Sequence, residues 1–411
     1  MADNNIKKIN NKASLTATVN FYSLLTIGEV DVPSESILNL HLYEWIFDII
    51  PRIDIVLNDS GTFNEKYPIV DGTPIKLEYS INEDTENLIV VNFVAESVSI
   101  ENSNTGENTS SLVRIVGVLK NNKLLFPLIS QAFEDQPSSK VIETIAKNTG
   151  FTPDIRIQTS DNMTWLQTHL SNGEMIKDIT DRAFLSEADS VFCFTNRNSE
   201  MVYTSIETEA ANESKFIAMY SALATSHPGN MPEDDATKEV ITYNSLDYKS
   251  LAPIVNKNMA YGSNVSYYDG NNNTSINLDS DIHSMSTTSL KNKAHAGEIV
   301  DHNVYGIENN VHQNYFRSLS ENRYIKQGFF SAPIMINSKP NNNLNLFDKI
   351  DLTVNSQDGL STNDVLSGKY LVGGIVHHFS KDGIYNTLLT VFRNGLEPPT
   401  FDKDFELNLT S

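Results

Sequence analysis

The chain has 411 residues, 39% hydrophobic and 20% charged, a globular composition that excludes disorder throughout and a length that exceeds one ordinary core. A soft prior of about 150 residues per domain gives two to four domains. Acidic residues number 52 against 30 basic ones, for a formal net charge of -22, and such a surface repels nucleic acid over about a Debye length, which excludes a gripping DNA or RNA binder.

Cys193 is the single cysteine and lies in the apolar run Val191-Phe192-Cys193-Phe194, so it reads as a small buried hydrophobe; intrachain disulfides and cysteine-cluster metal sites are excluded. The start, Met1-Ala2-Asp3-Asn4-Asn5, lacks the basic and apolar regions of a secretion signal, and there is no run of about 18 apolar residues. The expectation is a chain made in the cytoplasm with no membrane anchor.

Leu15–Tyr22 alternates apolar and polar residues with period two, the mark of a half-buried strand. Leu38–Ile50 is ambiguous: Leu38, Leu42, Trp45, Ile46 and Ile49 fit a helical stripe ended by Pro51, and the earlier part fits a strand equally well. Strands are expected at Ile53–Leu57, Ile75–Tyr79, Leu88–Val94 and Leu112–Leu119, separated by turn-rich pieces including Asn102–Asn108. Short strands at this spacing predict a small barrel or sandwich over about residues 10–125.

The period then changes. Ser138 or Ser139 caps a helix with Val141, Ile142, Ile145 and Ala146 on its apolar face, and Gly150 stops it. Trp165 is read as opening a helix and as a core or interface anchor. Ser171-Asn172-Gly173-Glu174 has capping-box spacing before a second helix with Met175, Ile176, Ile179 and Ala183 on one face. Val191–Phe194 and Met201–Ile206 read as strands, completing a mixed α+β unit.

Ser226–Ala236 is a linker or long surface loop, followed by a strand-like segment, Val240–Tyr268. The polar region Asp269–Asn309 is expected to be loop-rich, with a helix around Val311–Arg323. Strands return at Phe329–Ile336 and Ile350–Val354. The most ordered stretch is a β-hairpin with arms Tyr370–Phe379 and Ile384–Phe392 around Ser380-Lys381-Asp382-Gly383. Setting Phe379 opposite Ile384 pairs Ile375 with Leu388 and Leu371 with Phe392. The other face then carries Tyr370, Val372, Gly374, Val376 and His378 against Arg393, Val391, Leu389, Thr387 and Tyr385, as in a barrel wall or a sheet that meets a partner.

The motif search yields no zinc-protease, phosphate-loop, nucleophile-elbow or calcium-loop signature. His377 and His378 are adjacent on a strand and point to opposite faces, so they cannot share one metal ion without distortion. Asp279-Ser280-Asp281 with His283 reads as a solvated polar cluster, and carboxylate pairs are too abundant to single out a glycosidase acid and base. No catalytic, cofactor-binding or metal-binding residue is assigned.

Met163-Thr164-Trp165-Leu166-Gln167, then Ile176, Ile179 and Ala183, then Val191–Phe194 and Met201-Val202-Tyr203, resemble in their order the baseplate hub proteins of contractile-tailed phages, a family related to the hub half of type VI secretion spikes. The helix Ser139–Gly150 is similar to the element that opens the same domain there. The closing segment Tyr370-Leu371-Val372, His378-Phe379, Tyr385, Thr387 and Arg393-Asn394-Gly395 is similar to the family's last barrel hairpin. The matched pieces cover about a third of the chain, and the Asn-rich region 269–309 has no counterpart.

The resemblance implies a β-rich α+β fold: two tube-like antiparallel β-barrels, a small α+β domain and a polar insertion. Its boundaries would be 1–125 for the first barrel, 126–239 for the α+β domain, 240–268 with 325–397 for a discontinuous second barrel, 269–324 for the insertion and 398–411 for a tail. It further implies a non-enzymatic homotrimer in the virion tail baseplate, adapting a sixfold tail tube to a threefold central spike. Implied partners are the spike, the tube or its initiator, tape-measure protein and surrounding wedge proteins, with DNA only in passage. Tyr370, Val372, Val376, His378, Tyr385, Thr387, Leu389, Val391 and Arg393 would form the inter-subunit or barrel hairpin. The alternatives are a receptor- or glycan-binding tail protein, suggested by Tyr261–Asn273, and a peptidoglycan hydrolase.

Overall fold

The computed structural model describes residues 21–59, 63–81, 88–105, 108–186, 189–220, 238–248, 262–269, 274–281, 299–303, 311–315, 317–319, 322, 325–326, 330, 333–355, 362–363, 365–380 and 384–393. Seven strands open the chain: β1 (Phe21–Ile27), β2 (Val30–Asp31), β3 (Ile37–Trp45), β4 (Arg52–Asp59), β5 (Pro74–Ile81), β6 (Ile89–Thr105) and β7 (Asn108–Leu119). Of the strand expected at Leu15–Tyr22, residues 15–20 lie outside the described residues. The ambiguity at 38–50 resolves as strand: Leu40 and Leu42 are buried while Asn39 and His41 are not, a period of two. Asn102–Asn108 is not a long turn, because β6 and β7 stay paired as far as Thr105 and Asn108.

These strands run in the order β3-β4-β7-β6-β5-β1-β2. No hydrogen-bonded pair among the described residues closes them into a cylinder, but aromatic rings meet across the row. Tyr79 on β5 meets the Phe379 ring at 5.4 Å and the Tyr385 ring at 6.0 Å, from strands lying beyond β3 at the far end of the row.

The middle of the chain adds β8 (Ile129–Gln136), β9 (Thr152–Ile155), β10 (Met163–Leu170), β11 (Val191–Thr195) and β12 (Glu200–Ser205). The helix Ser138–Thr149 ends on Gly150 at φ 88°, a left-handed cap that suits glycine, and buries Val141, Ile142, Ile145 and Ala146. Its N-cap is Pro137 rather than a serine; Asp161 accepts from the Ser138 backbone N–H at 2.9 Å and fills the serine's role. The helix Asn172–Arg182 carries the full capping box between Ser171 and Glu174. Trp165 is on strand β10, not a helix: alternation buries Met163, Trp165 and Gln167 and leaves Leu166 out.

Six strands form a closed barrel: β13 (Phe216–Tyr220), β14 (Glu239–Tyr248), β18 (Ile334–Ser338), β19 (Lys349–Leu352), β20 (Gly368–Ser380) and β21 (Tyr385–Phe392), in the order β19-β13-β14-β18-β21-β20 with β20 returning to β19. All its pairings are antiparallel except those of β13, which is parallel to both β14 and β19. β13 falls inside the segment assigned to the α+β unit, so the barrel recruits it from there. Between β14 and β18, β15 (Gly262–Asp269) pairs with β16 (Thr274–Asp281) and β17 (Ile299–Asn303) in a separate three-stranded sheet. Residues 262–268 therefore do not belong to the barrel, and the polar region contains strands where loops were expected. Around 311–326, residues 315, 317–319, 322 and 325–326 are helical.

Two apolar cores result. One gathers the inward residues of β1 to β7 with the helices, and the other fills the closed barrel. β11 is buried at every residue because it serves both: Val191 and Cys193 face the first core, Phe192 and Phe194 the second.

Candidate functional site

Everything joins at β20. Its first residues, Gly368–Leu371, pair with β19, and its last, Gly374–Ser380, pair with Trp45–Asn39 of β3. The second partner makes the barrel and the N-terminal strands one 13-stranded sheet, and β3 with β20 is the single pairing that links them among the described residues. The switch falls at Gly373 and Gly374. Gly373 accepts the Ile46 backbone N–H at 3.0 Å, and the pairing with β21 slips between Val372 and Gly374. A Cβ on Gly373 would lie 2.3 Å from the Phe392 ring and one on Gly374 would lie 2.2 Å from the Trp45 ring, so both rings pack directly on glycine backbone.

The slip corrects the expected register. Leu371 faces Phe392 as counted, but beyond the bulge Phe379 faces Tyr385 and Ile375 faces Leu389. One residue of offset exchanges faces. The nine hairpin residues therefore do not share a side: Tyr385, Thr387, Leu389 and Val391 point into the cores, whereas Val376 and His378 are half-exposed on the outer face. Tyr370 and Val372 are fully buried. Arg393 is buried too, its guanidinium 4.7 Å above the Tyr370 ring and donating to the carbonyls of Ser367 and Val365.

Beneath the seam is a buried ion pair that sequence reasoning missed. Glu44 on β3 accepts from Arg197 Nη1 at 2.6 Å and from the Arg197 backbone N–H at 2.9 Å. Arg197 Nη2 donates to the carbonyls of Asn342 and Leu344, at 2.8 and 2.9 Å. Both side chains are almost wholly buried, at 1% and 2% exposure. Burial drives the Glu44 carboxyl upward, but the Arg197 guanidinium, with help from His377, outweighs it and holds the group at about 2. His377 Nδ1 shares a 2.8 Å hydrogen bond with the Tyr385 hydroxyl, while its Nε2 stands 3.5 Å from Glu44, too long for a full hydrogen bond. Burial keeps His377 below its ordinary pKa. One knot thus pins the β11–β12 turn to the N-terminal sheet and to the barrel. A lone Glu within a strand carries no local signal of this, since its partner is 153 residues away.

On the outer face, the adjacent histidines have gone separate ways as their strand position required. His378 stacks on His41, directly opposite on β3, with centroids 4.5 Å apart and planes 9° from parallel. Next to them Arg114 grips Asp54 through two hydrogen bonds of 3.0 and 2.7 Å, and Arg52 meets Glu96 at 3.1 Å. This part of the face carries its charges in opposite pairs despite the acidity of the whole. Among the described residues no group of three or more His, Cys, Asp or Glu is placed to hold a metal ion, and no helix is long and apolar enough to cross a membrane.

No protein-family model and no curated protein sequence matches the chain. Solved structures do match, and this chain has the fold of two phage tail proteins. The 43 kDa tail protein of prophage MuSo2 from Shewanella oneidensis aligns at 9% identity over 91% of this chain and 98% of its own, with a TM-score of 0.58. A tail protein from Neisseria meningitidis MC58 aligns at 7% identity over 92% and 97%, with a TM-score of 0.55. A type VI secretion component of Escherichia coli, described as structurally similar to the T4 tail proteins gp27 and gp5, covers 90% of this chain at 11% identity and a TM-score of 0.46, a likeness too loose to build on.

Proposed function

We propose that this protein is a structural hub of a phage tail baseplate. Three copies close a ring in which each contributes two barrel-like modules, six in all, facing a sixfold tail tube on one side and a threefold spike on the other. The observation that carries this reading is the continuous strand order through β3 and β20. It joins the two modules of one subunit in one continuous sheet, and a ring needs no bare strand edge at the junction between them. The fold shared with two phage tail proteins supports the same role.

In this role the spike, the tube or its initiator, tape-measure protein and wedge proteins are neighbours, and DNA passes without being held. The excess of acidic residues suits that passage. The work is geometric and calls for no reactive centre. Native mass measurement tests it: the expected species is a trimer, alone or once spike or tube protein is added. A strict monomer under all these conditions overturns the proposal.

A further inference from the structure

The seam between the two modules holds a feature that assembly alone does not require. His41 and His378 stack face to face at the middle of the β3–β20 pairing, half-exposed, with ring centroids 4.5 Å apart. Two neutral imidazoles stack well. Two imidazolium rings at that distance repel, and the strands that carry them form the sole strand pairing between barrel and N-terminal sheet among the described residues.

We propose that this stack makes the seam proton-sensitive: it accepts two neutral rings, and acidification loosens the β3–β20 pairing. The surroundings decide the sign. On β3, Tyr43 tilts against His41 at 5.8 Å, and on β4 Asp54 faces His41 and favours its charge. That carboxylate is already held by Arg114 of β7 through both oxygens, which blunts its help. Asn39 lies 3.4 Å from His378 Nε2, and Asn386 of β21 sits opposite, and neither is charged. The other titratable groups of the seam, His377, Glu44 and Arg197, are on the buried side.

Burial, opposed at His41 by Asp54 and reinforced at His378 by His41, keeps both rings below the ordinary 6.5. A folded state that binds protons less readily than the opened one loses stability as pH falls below 6.5 toward the depressed values. The seam is therefore closed at neutral pH and weakens on the acid side, which suits a joint that must hold until its surroundings change.

Hydrogen–deuterium exchange of the full chain between pH 7.5 and 5.5, corrected for intrinsic rates, tests this. Peptides covering β3 and β20 are expected to gain about tenfold in exchange relative to those covering β6 and β7. His41→Gln or His378→Gln, each leaving a single ring, should flatten that gain while His377 remains. The comparison within wild-type protein stands even if a variant fails to fold. Seam peptides that keep pace with β6 and β7, or a gain that survives in both variants, would overturn the proposal.

Discussion

Replacing Arg197 by methionine keeps the aliphatic stem and deletes the charge, leaving Glu44 buried with His377 Nε2 at 3.5 Å as its nearest surviving cationic candidate. The magnitude can be worked from two sides. Holding the Glu44 carboxyl at about 2 instead of 4.5 corresponds to about 3 kcal/mol at neutral pH. Breaking one partner of a buried ion pair costs about 3–5 kcal/mol by analogy with other proteins, and here two carbonyls also lose their donor. The expected loss is therefore about 3–5 kcal/mol, read from urea unfolding by tryptophan fluorescence, with Trp45 at the seam as a local reporter.

The pH dependence adds a second check on the same variant. In wild type the Glu44 contribution is complete above 4.5 and fades as pH falls toward 2, because the folded pKa is depressed. In the variant, burial is opposed only by His377 and the residue-197 backbone N–H and raises the carboxyl, so the penalty shrinks on acidification. The double variant Glu44→Gln with Arg197→Met should recover at least half of the loss, since no uncompensated charge remains. A single variant within about 1 kcal/mol of wild type, or a double variant no better than the single, would refute the electrostatic account of this knot.

Two other expectations concern packing. Gly374→Ala sets a methyl 2.2 Å from the Trp45 ring and should cost about 1–3 kcal/mol, with partial recovery when Trp45→Leu is added; unchanged thermal midpoints would show that the ring moves freely. Burial pushes the Cys193 thiol far above its ordinary pKa, so the folded protein should leave an aromatic disulfide reagent unreacted and release one equivalent per chain only in denaturant.

The local features of the fold were legible in the sequence because they obey local rules. Ser171 to Glu174 spells a capping box, Gly150 ends a helix, alternation marks β4 and β5, and an unbroken apolar run marks β11. What escaped depends on distance. β13 has only five residues and is placed by partners more than a hundred positions apart, β14 excepted. Trp165 looked helical because a large apolar residue fits either period until its neighbours are known to be buried or bare. The hairpin register failed for one nameable reason: Gly373-Gly374 in mid-strand signals a bulge, and counting through it as regular strand moved Tyr385, Thr387 and Leu389 to the wrong face. The Glu44–Arg197 pair and the His41–His378 stack left no trace at the level of short motifs.

Phe379 and Tyr385 are buried in the first core although they come from the last hairpin of the chain. A growing polypeptide therefore cannot finish its earliest module until Tyr385 has left the ribosome, and a fragment cut near residue 125 would expose the apolar gap that those two rings fill. Completion of the first module is thereby tied to synthesis of the β20–β21 hairpin, and a copy truncated before it lacks the side chains that fill its core.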